Sequence, residues 1–342
     1  MENSNGIFNR VIVNNDPYFK ENSNCQLKAT YVILCEEDSE NTGKQIYEYP
    51  ICGLSLAEWV AMACETKPVY ISVGKNENFL SLVKPYIGAS EYTIVLYANT
   101  PLVSKTHLKD LLEYVSMKNL NVCKLKKGYI LKNEYIREVD EIYSSLVYDL
   151  SSNDFLEVNN YYDVDKVRGT LERRMFNYHK RNGVVFYNQN TTVIDANVKI
   201  GRNVKIYGGV SIISGSIIAE NVTLNSNVTV SNSKIGENSE IGINSVVCNS
   251  IVKDNAKIES FSNIDHSVID ENAIIGSNVV VSESFVSFGS KIDNFSKIQS
   301  ASIMENVTVR KSVEIVGDGV TVVIEPNSEV KLGTKILKDS QN

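Results

Sequence analysis

Histidine is nearly missing from this 342-residue sequence: only His107, His179 and His266 occur, so side chains able to accept a proton near neutral pH are few. Cysteine is also sparse. The six cysteines, at positions 25, 35, 52, 64, 123 and 248, form no C-x-x-C pair and no metal-ligand spacing. That excludes a zinc-ribbon class and is the usage expected of reduced thiols in a cytoplasmic protein. Basic charge is in deficit. A net charge of −7 gives no general attraction for nucleic acid or anionic lipid. No apolar run approaches the length of a membrane span. The segment Met1–Phe8 lacks a basic start and an apolar run, so no signal peptide is expected. Two local basic clusters read as solvated: Lys124, Lys126 and Lys127 in a turn, and Arg173, Arg174, Lys180 and Arg181 on a helix.

What is abundant is periodic aliphatic side chains. Ile194, Ile200, Ile206, Ile212, Ile218, Leu224 and Val230 follow one another at intervals of six. From there three rows repeat at intervals of 17: Ile218, Ile235, Val252, Ile269, Val286, Ile303; Leu224, Ile241, Ile258, Ile275, Ile292, Val309; and Val230, Val247, Ile264, Val281, Ile298, Ile315. A hexapeptide period is the mark of a parallel β-helix. Each coil, divided six, six and five, supplies three short strands and three corners. Each strand turns one stiff, branched side chain inward. Gly, Asn, Asp and Ser at the corners, as in Ile235-Gly236-Glu237-Asn238, suit turn dihedrals. About eight coils stacked at ~4.8 Å make a prism of roughly 35–40 Å. A β-sandwich would instead alternate with period two.

The earlier half reads differently. Ile7–Val13 is a weak strand candidate and Ala29–Cys35 a buried one, followed by an acidic loop over Glu36–Asn41. Ser55 with Glu58 three residues later forms a capping box, with Leu54 and Trp59 placed as a hydrophobic staple, and the helix runs to about Cys64. Val69–Val73 and Tyr92–Tyr97 read as strands. A helix begins near Ser104 with Leu108, Leu111, Leu112 and Val115 on one face. A further helix is placed around Tyr135–Leu146. Alternating strands and helices predict a parallel α/β sheet. Asp163–Arg181 is a connecting helix whose packing stripe is Val164, Val167, Leu171, Met175 and Tyr178, with Gly183 as its stop. The divisions predicted are residues 1–160, a helix over 161–183, and the β-helix over 184–337.

Several segments carry a family resemblance: Val158-Asn-Asn before the helix, Gly183-Val-Val-Phe after it, and the coil Thr191–Gly201 (TTVIDANVKIG). Ile51-Cys-Gly-Leu-Ser-Leu-Ala-Glu-Trp-Val, Asn99-Thr-Pro-Leu, Ser290-Lys291 with Phe295-Ser296, and Phe261 add to it. Together they resemble the bacterial bifunctional enzyme that makes UDP-N-acetylglucosamine. That resemblance implies a Rossmann-like nucleotidyltransferase domain, here reduced, followed by a left-handed hexapeptide β-helix. It also implies a homotrimer, with the outward aromatics Phe285, Phe288 and Phe295 in a subunit contact. In an active member it implies Mg²⁺ and acetyl-CoA as cofactors.

The resemblance also implies site residues, and this chain departs from each. The family's first strand leads into a Gly-rich triphosphate loop; Glu-Glu-Asp-Ser-Glu stands at 36–40 instead, where carboxylates repel a triphosphate. Gly43-Lys44 is the only nearby material for another such loop. The family's metal-binding Asp falls on Asn99, and its partner ligand on Asn159; Mg²⁺ prefers a carboxylate. In the acetyltransferase site the family's phosphate-binding Arg and Lys fall on Asp265 and Ser282, and its general-base His on Asn294. Its sugar-orienting Tyr and Asn fall on Lys297 and Thr308. Asn294 cannot accept a proton as a general base must. His266, beside Asp265 and Ser267, is the nearest other candidate base. The reading that follows is a non-catalytic relative with a structural, regulatory or partner-binding role in sugar-nucleotide or envelope metabolism, one able to bind a protein partner or a sugar nucleotide. The alternatives are an acyltransferase of altered substrate using Lys297, and an active sugar-1-phosphate nucleotidyltransferase.

Overall fold

A computed structural model describes residues 28–37, 45–74, 77–142 and 153–339 of the protein. The expected strand Ile7–Val13, Cys25, most of the acidic loop, Gly43-Lys44, the end of the helix expected around Tyr135–Leu146, and the last three residues of the chain lie outside the described residues. The chain divides into two compact units, residues 1–174 and 175–342. No helix among the described residues is long and apolar enough to cross a membrane.

The first unit is built on one strand. β1 (Ala29–Glu36) is an apolar run buried on both faces, and such a run suits the centre of a covered parallel sheet. Pro50–Ile51 (β2) and Leu54–Ser55 (β3) make a small hairpin before α1 (Leu56–Met62). The capping box is present. The Ser55 hydroxyl accepts from Glu58 N–H at 3.2 Å, and Glu58 accepts from Ser55 N–H at 2.7 Å. The Trp59 indole N–H donates to the Ile51 carbonyl at 2.9 Å, which holds the hairpin to the helix.

β4 (Val69–Val73) and β5 (Tyr92–Tyr97) flank β1, both parallel to it. α2 (Phe79–Val83) lies between them in the chain, and α3 (Lys105–Met117) follows, capped by the Ser104 hydroxyl. Leu108, Leu111, Leu112 and Val115 are buried, as the periodicity predicts. The sheet is not wholly parallel. β6 (Val122–Lys124) and β7 (Tyr129–Lys132) form a hairpin that adds to β5 antiparallel, giving the order β4-β1-β5-β7-β6. Gly128 makes that hairpin possible: its φ is +123°, and a Cβ there would lie 2.5 Å from the Val95 carbonyl oxygen. The helix expected near Tyr135 starts earlier, as α4 (Asn133–Glu138), because Asn133 is locked at the end of β7. Its side chain accepts from the Thr93 hydroxyl at 2.6 Å and donates to the Ser90 carbonyl at 2.7 Å.

α5 (Tyr161–Arg181) is the predicted connecting helix, and Gly183, at φ +88°, follows its end. Val164, Val167, Leu171 and Met175 are buried; Tyr178 is only half-buried. Phe176 joins the core of the second unit beside Val184 and Val198, and its ring meets Phe186 edge-on at 5.0 Å. His179 is buried one turn on, and burial lowers its pKa to about 4.

The second unit is a parallel β-solenoid of about nine turns. Its three faces are parallel sheets of eight, nine and nine strands. Each 17-residue row of the sequence lies on one sheet, and Ile264, Val281 and Ile298, for example, are fully buried. There are more turns than the roughly eight expected, because Val185–Phe186 already pairs with Lys205–Ile206, and Lys335–Asp339 adds a final strand. The period also varies. Early turns take 18 residues, as Ile200 beside Ile218, and one late turn takes 21, as Ile303 beside Ile324.

The corners divide the work between residue types. Asparagine occupies most of the left-handed positions, among them Asn203, Asn221, Asn238, Asn255 and Asn272. Stacked Asn amides bond from turn to turn, as Asn221 Nδ2 to Asn238 Oδ1 at 3.1 Å. Gly236 and Gly242 have ordinary φ and serve close approach instead. A Cβ on either would lie 2.5 Å from the backbone of the next turn. Buried serines form an inner ladder in which each hydroxyl accepts from a backbone N–H one turn on, as Ser250 N–H to Ser233 Oγ at 3.0 Å and Ser267 N–H to Ser250 Oγ at 3.0 Å. Buried polar groups are tolerated when bonded in this way.

Candidate functional site

In open α/β sheets, ligands bind beyond the carboxyl ends of the strands, where the chain order reverses. Here that point lies between β1 and β5, and carboxylates occupy it. Glu36 ends β1, and Glu37 N–H continues the pairing by donating to the Val73 carbonyl at 3.1 Å. Between the carboxylates sits Lys127. Its ammonium lies 3.1 Å from Glu36 and 3.3 Å from Glu157, and 4.3 Å from the centre of the Tyr97 ring. Burial first, then the Glu36 charge, pushes the Tyr97 phenol up to about 12. Burial, followed by Glu48 and Glu37, pushes the Cys35 thiol up to about 11. Burial is the leading cause of both shifts, and neighbouring carboxylates add to it on either face of the sheet.

Lys127 was read from the sequence as a solvated turn residue. The hairpin folds its side chain back over the sheet, leaving it 21% exposed. Nothing local in the sequence signals this, because Glu36, Lys127 and Glu157 meet only through the sheet. Replacing Lys127 with methionine is expected to cost about 1 kcal/mol, a partly exposed ion pair plus a cation–π contact. Urea unfolding of the intact protein, followed by far-UV circular dichroism, measures it. No loss would mean that the pair is incidental.

Next to this cluster, Asn99 and Asn159 are indeed neighbours, as the resemblance requires of a metal pair. Yet the Asn99 amide donates to Asn159 Oδ1 at 3.2 Å, so they bond to each other. The Asn159 backbone N–H donates to Asp163, and that bond comes first among the causes that hold the Asp163 carboxyl below its usual range. Asn99 Oδ1 is buried with no hydrogen-bond partner. One neutral oxygen against an already bonded amide is a poor donor set for Mg²⁺. Among the described residues no group of three or more His, Cys, Asp or Glu is arranged to hold a metal ion.

A second polar cluster in this unit is structural. His107 Nδ1 lies 2.5 Å from Asp154, and Arg174 donates to the other Asp154 oxygen at 2.8 Å and to the Leu102 carbonyl at 2.6 Å. This ties α3, the turn Asn153–Phe155 and α5 together. Arg174, read as solvated, is therefore a partner of the core.

On the solenoid the five predicted positions do not converge. Asp265 and Ser282 are stacked on adjacent strands of one sheet. Lys297 lies on that sheet in the other outward row, between Val280 and Glu314. Asn294 is at a corner, where its Oδ1 accepts from Ser277 N–H at 3.1 Å. Thr308 faces outward on a different sheet beside Lys291. His266 is exposed at a left-handed corner, 2.9 Å from the Asp265 carboxylate. The hydrogen bond from His266 first, with help from Asn249, holds the Asp265 carboxyl below its usual range. A cleft on this unit, of about 400 Å³, is lined by Asp293, Arg310, Lys311, Glu329, Lys331 and Leu332, and contains none of the five. Within it Arg310 is paired with Glu329. Of the six cysteines, Cys35, Cys64, Cys123 and Cys248 are free thiols.

No family model and no curated protein matches this sequence.

Proposed function

We propose that this chain is a non-catalytic relative of the bifunctional UDP-N-acetylglucosamine-synthesising enzyme. In this reading its first unit is a reduced nucleotidyltransferase-like domain, its second a left-handed β-helix of hexapeptide repeats, and its role structural, regulatory or partner-binding. The observation that supports it most is the filled sheet end: Lys127 is locked between Glu36 and Glu157 where a nucleotide would need a cation and a run of N–H donors. A thermal-shift series with UTP, UDP-N-acetylglucosamine, acetyl-CoA and N-acetylglucosamine 1-phosphate, each with Mg²⁺, tests it, because a ligand of the native state raises the midpoint. No shift is expected. Turnover of UTP that disappears in Asn99→Ala would sink the reading.

The homotrimer is part of the same proposal. Phe261 and Phe295 support it. Both hold left-handed backbone angles, φ 61° and 63°, and both rings are more than half exposed. A bulky residue in that region costs roughly 1–2 kcal/mol, and strain of this kind marks positions put to use. Phe285 lies beside Val268 on another face of the solenoid. The double variant Phe261→Asn, Phe295→Asn is expected to sediment as a monomer while melting no lower than the parent chain separated into monomers. A wild-type protein that sediments as a monomer removes the trimer.

A further inference from the structure

One face of the solenoid bears an outward apolar run that its core does not need. Ile251, Val268 and Phe285 are in direct strand register on that face, and Phe288 sits on the corner just after it. Ile251 is 41% exposed and Phe288 44%. The run is bordered by an acidic row on one side. At the following corner, backbone hydrogen bonds stack Glu237, Asp254, Glu271, Phe288 and Glu305 in consecutive turns. At the preceding corner Asn249, His266, Glu283 and Ser300 stack in consecutive turns, and Asp265 is held by His266 at 2.9 Å. Lys234 adjoins Ile251 in the same outward row and closes the run at that end, and Lys253 is paired with Asp270 at 2.9 Å.

We infer that this face, Ile251-Val268-Phe285 beside its acidic corner row, binds a basic amphipathic helix of a partner protein. The apolar step is one turn of the solenoid, ~4.8 Å, and a helix presents side chains at i, i+3 and i+4 with a rise of about 4.5–6 Å. Lysines or arginines on one flank of such a helical stripe meet the carboxylate row of the following corner, and Glu283 faces the other flank. The same carboxylates disfavour other occupants. Two copies of this face would bring acid against acid, and an anionic membrane or a nucleic acid would be repelled. The inference rests on the partner-binding reading above and gives that partner its chemistry.

The test uses the intact protein and a labelled synthetic helix of about 18 residues, with leucine along one stripe and lysine on both flanks. Fluorescence anisotropy is expected to show saturable binding that weakens at least about tenfold between about 50 and 500 mM salt. Phe285→Ser, and separately Asp254→Lys with Glu271→Lys, should each weaken it about tenfold with the protein's melting temperature unchanged. A peptide of the same composition in scrambled order should bind about tenfold more weakly. Equal binding of the scrambled peptide overturns the inference, as does no binding. So does a drop in sedimentation coefficient for Phe285→Ser, which would make the face a contact between copies. UTP turnover would overturn the non-catalytic reading without touching peptide binding, and failure of the peptide series alone would overturn only this inference.

Discussion

Ile264→Asp is expected to unfold the solenoid, and Ile264→Ala to cost about 3–4 kcal/mol, the usual range for deleting most of a fully buried isoleucine. Ile264 is fully buried in the middle of its row, with Val247 one turn before and Val281 one turn after. A carboxylate there has no partner and no water. The size of the alanine effect should depend on position. In a solenoid each turn touches only its neighbours, so stability is close to a sum of local terms and nearest-neighbour contacts. Ile336 occupies the same row at its end, is only half-buried, and has a partner strand on one side alone. Its alanine variant should lose about 1 kcal/mol or less. Guanidinium unfolding followed by circular dichroism reads both. Equal losses at the two positions would contradict turn-by-turn stacking as the source of stability.

The second large effect is acid lability at the start of the solenoid. His179 is buried, and burial alone lowers its pKa from 6.5 to about 4. The unfolded chain therefore binds a proton between these values that the folded chain refuses. Stability from this group is complete above pH 6.5 and drains away as pH falls towards 4, reaching about 3 kcal/mol. Below pH 4 both states carry the proton and the loss is constant. His179→Leu removes the titration while keeping an apolar side chain against α5 and the first turn. The difference between wild type and His179→Leu, measured by urea unfolding from pH 7 to pH 4, isolates this histidine from the carboxylates that titrate nearby. Parallel curves would place the proton elsewhere.

These two effects mark how much of the molecule could be read directly. The row containing Ile264 was legible because a repeating coil must return an aliphatic side chain to the axis at each pass, and a period survives in one dimension. The same argument located α5, α1 and the strands Val69–Val73 and Tyr92–Tyr97, each with its own periodicity or cap. His179 was on the page only as a helical residue. Its burial follows from where the last two turns of α5 pack, which the stripe ending at Tyr178 placed one residue away.

The candidate sites were less legible. Asn99 and Asn159, 60 residues apart, are hydrogen-bonded neighbours, a proximity that no local pattern of the chain reveals. Lys127 was misjudged, because a lysine in a polar turn looks solvated until the hairpin is folded against the sheet. The solenoid candidates face different ways: Asp265 and Ser282 from one sheet, Asn294 from a corner, Thr308 from another sheet. A corner changes direction within a few residues, so closeness along a repeat does not bring side chains to one point.

By itself the sequence determined the inward half of this protein: which aliphatic residues meet at the solenoid axis, where asparagine takes left-handed corners, and where the long helix runs. Those follow from the fixed periods of strand and helix, which any stretch of chain carries with it. Only the tertiary structure decided the outward half: that Glu36, Lys127 and Glu157 close the sheet end, and that Ile251, Val268 and Phe285 line up beside an acidic corner row. The physical reason is that such groupings depend on register between segments distant in the chain, and register is set by the whole stack of hydrogen-bonded turns rather than by any one of them.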